Sequence, residues 1–278
     1  MRGTRALFPL LILFLAMGLI LSACGSKTAA PNEGGSPSAG QTDANGTTSD
    51  QGTAKKKYIV GSDAAYAPFE SVAPNGEIVG LDIDFVKKLA EVGGFEVEVK
   101  NIAWDPLFEA VKNGEVDFAA SAITITDERK QTYDFTDPYF VANQLILVPE
   151  GSDVTKFEDL KTKRVAVQNS TTGHEAVKKL LGATSPQIKP FESTPLAIQD
   201  MLINGSDAVV ADNAVVMEFV KQNPDKKLKI IEDPTFEKEY YGLLVKKGNQ
   251  ELLDTLNAAI KKLKENGGLK EIFGQDLK

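Results

Sequence analysis

The chain has one cysteine, one histidine and one tryptophan among its 278 residues. A lone cysteine excludes an intrachain disulfide framework. With only His174 beside it, no cysteine–histidine cluster can hold a structural zinc. There is no glycine-rich phosphate loop and no repeat of solenoid period. Positive charge is in deficit too: 31 Lys and Arg stand against 39 Asp and Glu, for a formal charge of −8. An acidic chain is a poor partner for nucleic acid, and its bulk field favours cationic ligands. Beyond the N-terminal segment no apolar run is long enough to cross a membrane. Residues 25–54 contain no aromatic and no large aliphatic residue. Such a stretch cannot bury apolar surface and reads as a disordered tether.

What is present begins with an export signal. Arg2 and Arg5 form a basic start, and residues 6–23 are apolar with small residues at the end. The run closes on Leu21-Ser22-Ala23-Cys24, which resembles the lipobox of bacterial lipoproteins. That resemblance implies a signal peptide over 1–23 and a diacylglyceryl and acyl modification on Cys24. An uncleaved span is the competing reading, since the run just reaches the shortest spanning length. An inert, apolar Cys24 is the third. Residues 24–57 then lift the body off the membrane, and the outer face of a Gram-positive cell is the expected setting.

From Tyr58 onwards strand and helix patterns alternate. Strand patterns cover 58–62, 95–100, 116–120, 144–148, 164–168, 187–191, 208–211, 228–231 and 240–246. Helical patterns cover 82–92, 106–112, 173–181, 195–203, 213–222, 251–264 and 269–272. This alternation predicts an α/β fold with largely parallel sheets, and the length suits two lobes. In such sheets ligands bind beyond the carboxyl ends of strands.

Unusual residues cluster at those ends. Asp63 and Tyr66 follow the first strand; Ser121, Thr124 and Arg129 follow the strand ending near Ala120. Gln168, Thr171 and Thr172 close another, and Asp212 follows the apolar run 208–211. Each has a bland alternative. Thr126, Thr171, Thr172 and Asp212 suit helix caps, Tyr66 and Trp104 suit a core, and Asp63 suits a turn. Arg129 sits in a helical first turn, where a cation opposes the helix dipole. It either forms a fork for a carboxylate or pairs with Asp127, Asp134 or Asp137. His174 reads as a solvated residue of a first turn. The joint reading is coherent for a small zwitterion. Arg129 and the helix start at Thr172-Gly173 suit an α-carboxylate, and Asp212 suits an α-ammonium. Tyr66 and Trp104 flank a flat or cationic side chain, Asp63 meets its tip, Glu70 is a weaker second acid, and Gln168 is a polar lining residue.

The segments 61–70, 80–84, 123–129, 134–139 and 208–212 together resemble the extracytoplasmic receptors of polar amino-acid ABC transporters, the solute-binding proteins of family 3. Residues 104–108, 168–173 and 212–215 most resemble receptors for arginine, lysine and histidine. The resemblance implies a type II periplasmic-binding-protein-like clamp with two crossover hinge strands. Its lobe 1 would be 58–147 plus 238–278, and its lobe 2 would be 148–237. It implies a monomeric, non-enzymatic receptor without cofactor, delivering an amino acid to permease subunits. In that scheme Arg129 grips the carboxylate with Ser121, Thr124 and Thr172, and Asp212 grips the ammonium. Two departures stand out. Ser121-Ala122 replaces a hydroxyl pair, so the backbone at Ala122 must substitute. The chain also stops soon after its last helix, which leaves little sequence to hold that helix. A glutamine receptor, a cyclohexadienyl-dehydratase-like enzyme with Glu70 or Asp63 as proton donor, and a surface sensor or adhesin are the rival readings.

Overall fold

The computed structural model describes residues 55–275; the leader, Cys24 and most of the tether lie outside them. Two five-stranded sheets organise the chain. The first has the order Glu96–Asn101, Lys57–Ser62, Phe118–Ala119, Leu244–Lys246, Tyr133–Phe135. The second has the order Ile188–Phe191, Val165–Gln168, Ala208–Asp212, Gln144–Pro149, Leu228–Ile231. In each sheet the first three strands are parallel and the fourth is antiparallel to both its neighbours. The reversed strands are those the chain enters after crossing between lobes. The parallel strands are joined by helices, as such pairs require: Leu81–Gly93 and Trp104–Asn113 in the first lobe, Thr172–Leu181 and Thr194–Leu202 in the second.

Each sheet is covered on both faces. In the first lobe, Phe85, Val86 and Leu89 pack with Leu256, Ile260 and Leu263 on one side, and Leu107, Val111 and Ile123 cover the other. In the second lobe Val165, Val167 and Val210 face one core, while Ala166, Val209 and Ala211 face its opposite. That alternation is the period-2 pattern of strands buried on both faces. The helix that the sequence starts at Pro106 begins at Trp104; Pro106 fits because it lies in the first turn, where no intrahelical N–H is lost.

The lobe boundary differs from the sequence expectation. Gln144–Pro149 pairs with Ala208–Asp212 and Leu228–Ile231, with Gln144 opposite Asp212. Residues 144–147 therefore belong to the second lobe and not the first. The pairing decides it, since both neighbours are second-lobe strands; Leu145, Ile146, Leu147 and Val148, all at most 1% exposed, make it a central strand covered on both faces. The crossover is a two-stranded antiparallel ribbon, Phe140–Ala142 with Glu239–Tyr241.

A three-stranded sheet of very short strands, Ala65–Tyr66, Glu70–Val72 and Ile78–Val79, flanks the first lobe and was not visible as a pattern. It closes at Gly80, whose φ is 134°. A Cβ there would come within 2.2 Å of the Phe69 carbonyl oxygen, so only glycine fits. The last helix, Gly268–Phe273, is held firmly despite the short C-terminus. Phe273 packs on Phe85, Tyr139 and Phe140 with ring centroids 5.4–5.6 Å apart. The Gln275 amide then bonds both N–H and C=O of Val141 at 3.2 Å, like one more rung on the crossover strand. Among the described residues no helix is long and apolar enough to cross a membrane.

Candidate functional site

The eleven residues singled out by sequence line one cavity, together with Glu70. The cavity opens where strand carboxyl ends of both sheets converge. Asp63 follows Lys57–Ser62, Ser121 and Ala122 follow Phe118–Ala119, Gln168 ends its strand, and Asp212 ends Ala208–Asp212.

Arg129 lies in the helix Asp127–Thr132, capped by Thr126, whose hydroxyl accepts from the Arg129 N–H. Its guanidinium donates to the Thr124 carbonyl at 2.8 Å and, across the cleft, to the Ser170 carbonyl at 3.1 Å. Its carbon lies 5.5 Å from the Trp104 ring centre and 5.2 Å from that of Phe108, a desolvated cation–π setting. Among the described residues Arg129 makes no ion pair; Asp127 faces Lys130 and Asp134 faces Lys247. The surface-pairing reading therefore does not describe it. Both carbonyl-bearing loops bend into the left-handed region nearby, at Ala122 (φ 48°) and Ser170 (φ 55°), a cost that rigid surroundings must offset.

Asp212 occupies a helix N-cap position, yet its side chain makes no capping bond. It accepts instead from Gln144 Nε2 and the Tyr241 hydroxyl. Burial, and then the charge of Glu239, push its carboxyl up to about 6. Asp63 is also pushed up to about 6 by burial, against the pull of Gln168 and the Trp104 amide. Glu70 is fully buried and accepts from Ser121 Oγ at 2.9 Å; burial and the Asp82 charge hold it well above the usual carboxylate range.

The hydroxyls are committed within the protein. Ser121 gives its proton to Glu70 and accepts from the Asp63 N–H at 3.0 Å. Thr171 gives its proton to the Gln168 carbonyl and caps the helix Thr172–Leu181 by accepting from the His174 N–H. Thr124 and Thr172 both donate to Glu239 Oε2 at 2.8 Å. The Ala122 N–H, expected to stand in for a missing hydroxyl, donates to Asp82 Oδ2 at 2.7 Å. That amide is not free for a ligand, and only the Ala122 side chain and carbonyl edge remain to line the cavity. Asp82, which also takes the Tyr139 hydroxyl proton at 2.7 Å, is thereby the anchor of this loop.

Tyr66 stacks along Phe69 at 6.3 Å and Trp104 meets Phe108 edge-on at 4.9 Å, so both walls are braced from behind. His174 corrects a further expectation. It is 5% exposed, not solvated, and its Nδ1 accepts from the Ser170 N–H at 3.3 Å. Burial lowers its basicity, consistent with a neutral acceptor that steadies the loop under Arg129. Gln144, Glu239, Tyr241 and Asp82 are site-supporting residues that sequence reasoning missed. The one available signal was Gln144, a lone polar residue heading an apolar strand.

In charge, Asp63 and Asp212 line the cavity against the single cation Arg129, beside the buried acid Glu70 that resists ionisation. Such a lining favours a ligand with more positive than negative groups.

Residues 58–275 match the family model of the bacterial extracellular solute-binding proteins, family 3. Among solved structures, the arginine-, lysine-, histidine-binding protein ArtJ from Geobacillus stearothermophilus is 51% identical, over 80% of this chain and 97% of that one, with a TM-score of 0.77. An ancestral arginine-binding protein, solved with glutamine and with arginine, is 39% identical with TM-scores of 0.74 and 0.75. The two alignments cover 80–81% of this chain and 98–99% of that one. A probable histidine-binding protein of Neisseria gonorrhoeae is 42% identical over 221 residues, 79% of this chain and 82% of its own length. The chain belongs to the bacterial extracellular solute-binding proteins of family 3.

Proposed function

We propose that this protein is the receptor of an amino-acid ABC importer and takes a cationic L-amino acid, arginine, lysine or histidine, into its cleft. One observation carries the reading: a single guanidinium and two flanking carboxylates, Arg129, Asp212 and Asp63, line one small cavity. They mirror the three charges of a cationic amino acid. Arg129 takes the carboxylate as a bidentate fork. Asp212 takes the ammonium. Tyr66 and Trp104 flank the side chain, and Asp63 meets its cationic end with Gln168 beside it. Arg129 comes from the first lobe and Asp212 from the second, so one ligand ties the lobes together. That differential contact favours the closed clamp, the form a permease would recognise. The names of the relatives, which bind arginine, lysine, histidine or glutamine, support the ligand class. In this reading Cys24 is lipidated, and the receptor is a monomer held on the outer face of a Gram-positive cell membrane. It needs no cofactor.

One observation favours a rival. Glu70 is a buried acid lining the cavity, as a dehydratase of carboxylated rings would need. A ring acid without an ammonium leaves the Asp212 carboxylate without a cationic partner, which is costly in a buried site. Calorimetric titration of ligand-stripped protein with the twenty amino acids separates the readings. Tight binding confined to arginine, lysine or histidine supports the cationic receptor. Glutamine binding alone keeps the receptor and removes the cationic assignment. No amino-acid binding, with turnover of a cyclohexadienyl carboxylate, replaces the receptor by the enzyme.

A further inference from the structure

Glu239 lies on the crossover strand Glu239–Tyr241, outside both sheets. Its carboxylate nevertheless reaches three side chains of the cleft. Oε2 accepts from Thr124 Oγ1 of the first lobe and Thr172 Oγ1 of the second, each at 2.8 Å. Oε1 accepts from Gln144 Nε2 at 3.1 Å. The same Gln144 nitrogen also lies within hydrogen-bond reach of Asp212 Oδ1 and Thr172 Oγ1, so its two protons are shared among three acceptors. One amide thus sits between two carboxylates, and Glu239 is bound into the surroundings of Asp212.

Proton counting turns this geometry into a statement about ligands. A hydroxyl has one proton to give. Thr124 and Thr172 both give theirs to Glu239, so each shows the cavity only lone pairs. They can accept from an ammonium and cannot donate to a carboxylate. Glu239 also places a second negative charge near Asp212, where a ligand cation relieves the repulsion and a neutral group does not. We propose that Glu239 is a specificity-determining residue: it turns the Asp212 end of the cleft into an all-acceptor site that selects ligands bearing an α-ammonium and rejects the same ligands without one. This rests on the amino-acid reading above. It adds that selection for the ammonium is shared by a crossover residue and is not the work of Asp212 alone.

A purely mechanical role, in which Glu239 clips the two lobes together, makes a different forecast. Loss of a clip weakens every ligand by the same factor. Loss of a selector changes the ratio between ligands. The test is calorimetric titration of the full protein and of Glu239→Gln and Glu239→Ala. The titrants are L-arginine, L-histidine and L-glutamine, each beside the analogue in which hydrogen replaces the α-ammonium. Thermal melts check that both variants fold. The ratio of affinities, amino acid over analogue, should fall at least tenfold in both variants. The analogue should bind Glu239→Ala no more weakly than the wild type, because two hydroxyl protons are freed for its carboxylate. A ratio within twofold of wild type in the folded variants overturns the proposal and leaves the clip. Wild-type protein that binds none of the three amino acids overturns the receptor reading itself, and the Glu239 proposal with it.

Discussion

Arginine binding should weaken steeply in mild acid, and Asp63 should account for half of the effect on a logarithmic scale. Asp63 and Asp212 are each raised to about 6 by burial. Both must be ionised to meet the two cationic groups of arginine, so below that value a proton competes with the ligand at each. At roughly pH 5 about ten in eleven copies of such a group are protonated, an apparent loss of about tenfold per group, or ~1.4 kcal/mol. Two groups give about a hundredfold loss between roughly pH 7.5 and pH 5. Asp63→Asn removes one proton from the count. Its arginine affinity at neutral pH should already be lower, by ~2 kcal/mol or more, since a buried charge loses its partner. Its remaining pH dependence should shrink to about tenfold. Glutamine, whose side chain carries no charge, should show that shallower dependence already in the wild type. Isothermal titration at the two pH values and constant ionic strength reads all of these. Equal arginine losses in wild type and Asp63→Asn would show that no cationic group of the ligand meets Asp63.

Arg129→Ala should raise the Kd for any bound amino acid by a hundredfold or more, given ~2–5 kcal/mol for a buried charge partner; an increase below threefold in titration would remove Arg129 from the carboxylate role. Asp82 is raised to about 7 by burial, so the folded state holds a proton there that the unfolded chain releases near pH 4. The stability Asp82 contributes is therefore complete below about pH 4 and is lost as pH climbs through about 7. Asp82→Asn escapes that loss, and its stability relative to wild type should rise across this window by on the order of 4 kcal/mol. Denaturant melts at several pH values check it, and a constant difference would refute an ionising Asp82. Cys24→Ala should move the protein from the membrane fraction to soluble or unprocessed forms in cell fractionation; unchanged anchoring would point to a membrane span in place of a lipid.

The cleft was legible in the sequence to the extent that it is built from strand ends. Asp63, Ser121, Gln168 and Asp212 interrupt apolar strand patterns just where parallel sheets present ligands, and a cation in the first turn of a helix stands out at Arg129. What was not legible is what binds those residues to one another. Glu239 meets Thr124 across 115 positions and Gln144 across 95, and no local periodicity reports such a contact. Asp82, inside the segment 80–84, takes no role of its own from the sequence, because its partner Ala122 lies 40 positions away. Residues 144–147 were assigned to the wrong lobe for a related reason: an apolar run records that it is buried, not which sheet buries it. The hidden layer changes the chemistry, not only the packing. From sequence, Ser121, Thr124 and Thr172 read as hydroxyls ready to help Arg129 hold a carboxylate. In the structure their protons go to Glu70 and Glu239, acids that line or back the same cavity. Carboxylate recognition then falls chiefly on Arg129, while the acids and hydroxyls of the lining accept; the Trp104 indole N–H, buried without a partner among the described residues, is a further donor. A site with one fork and so many acceptors discriminates by counting donors on its ligand, and a cationic amino acid brings more of them than a neutral one.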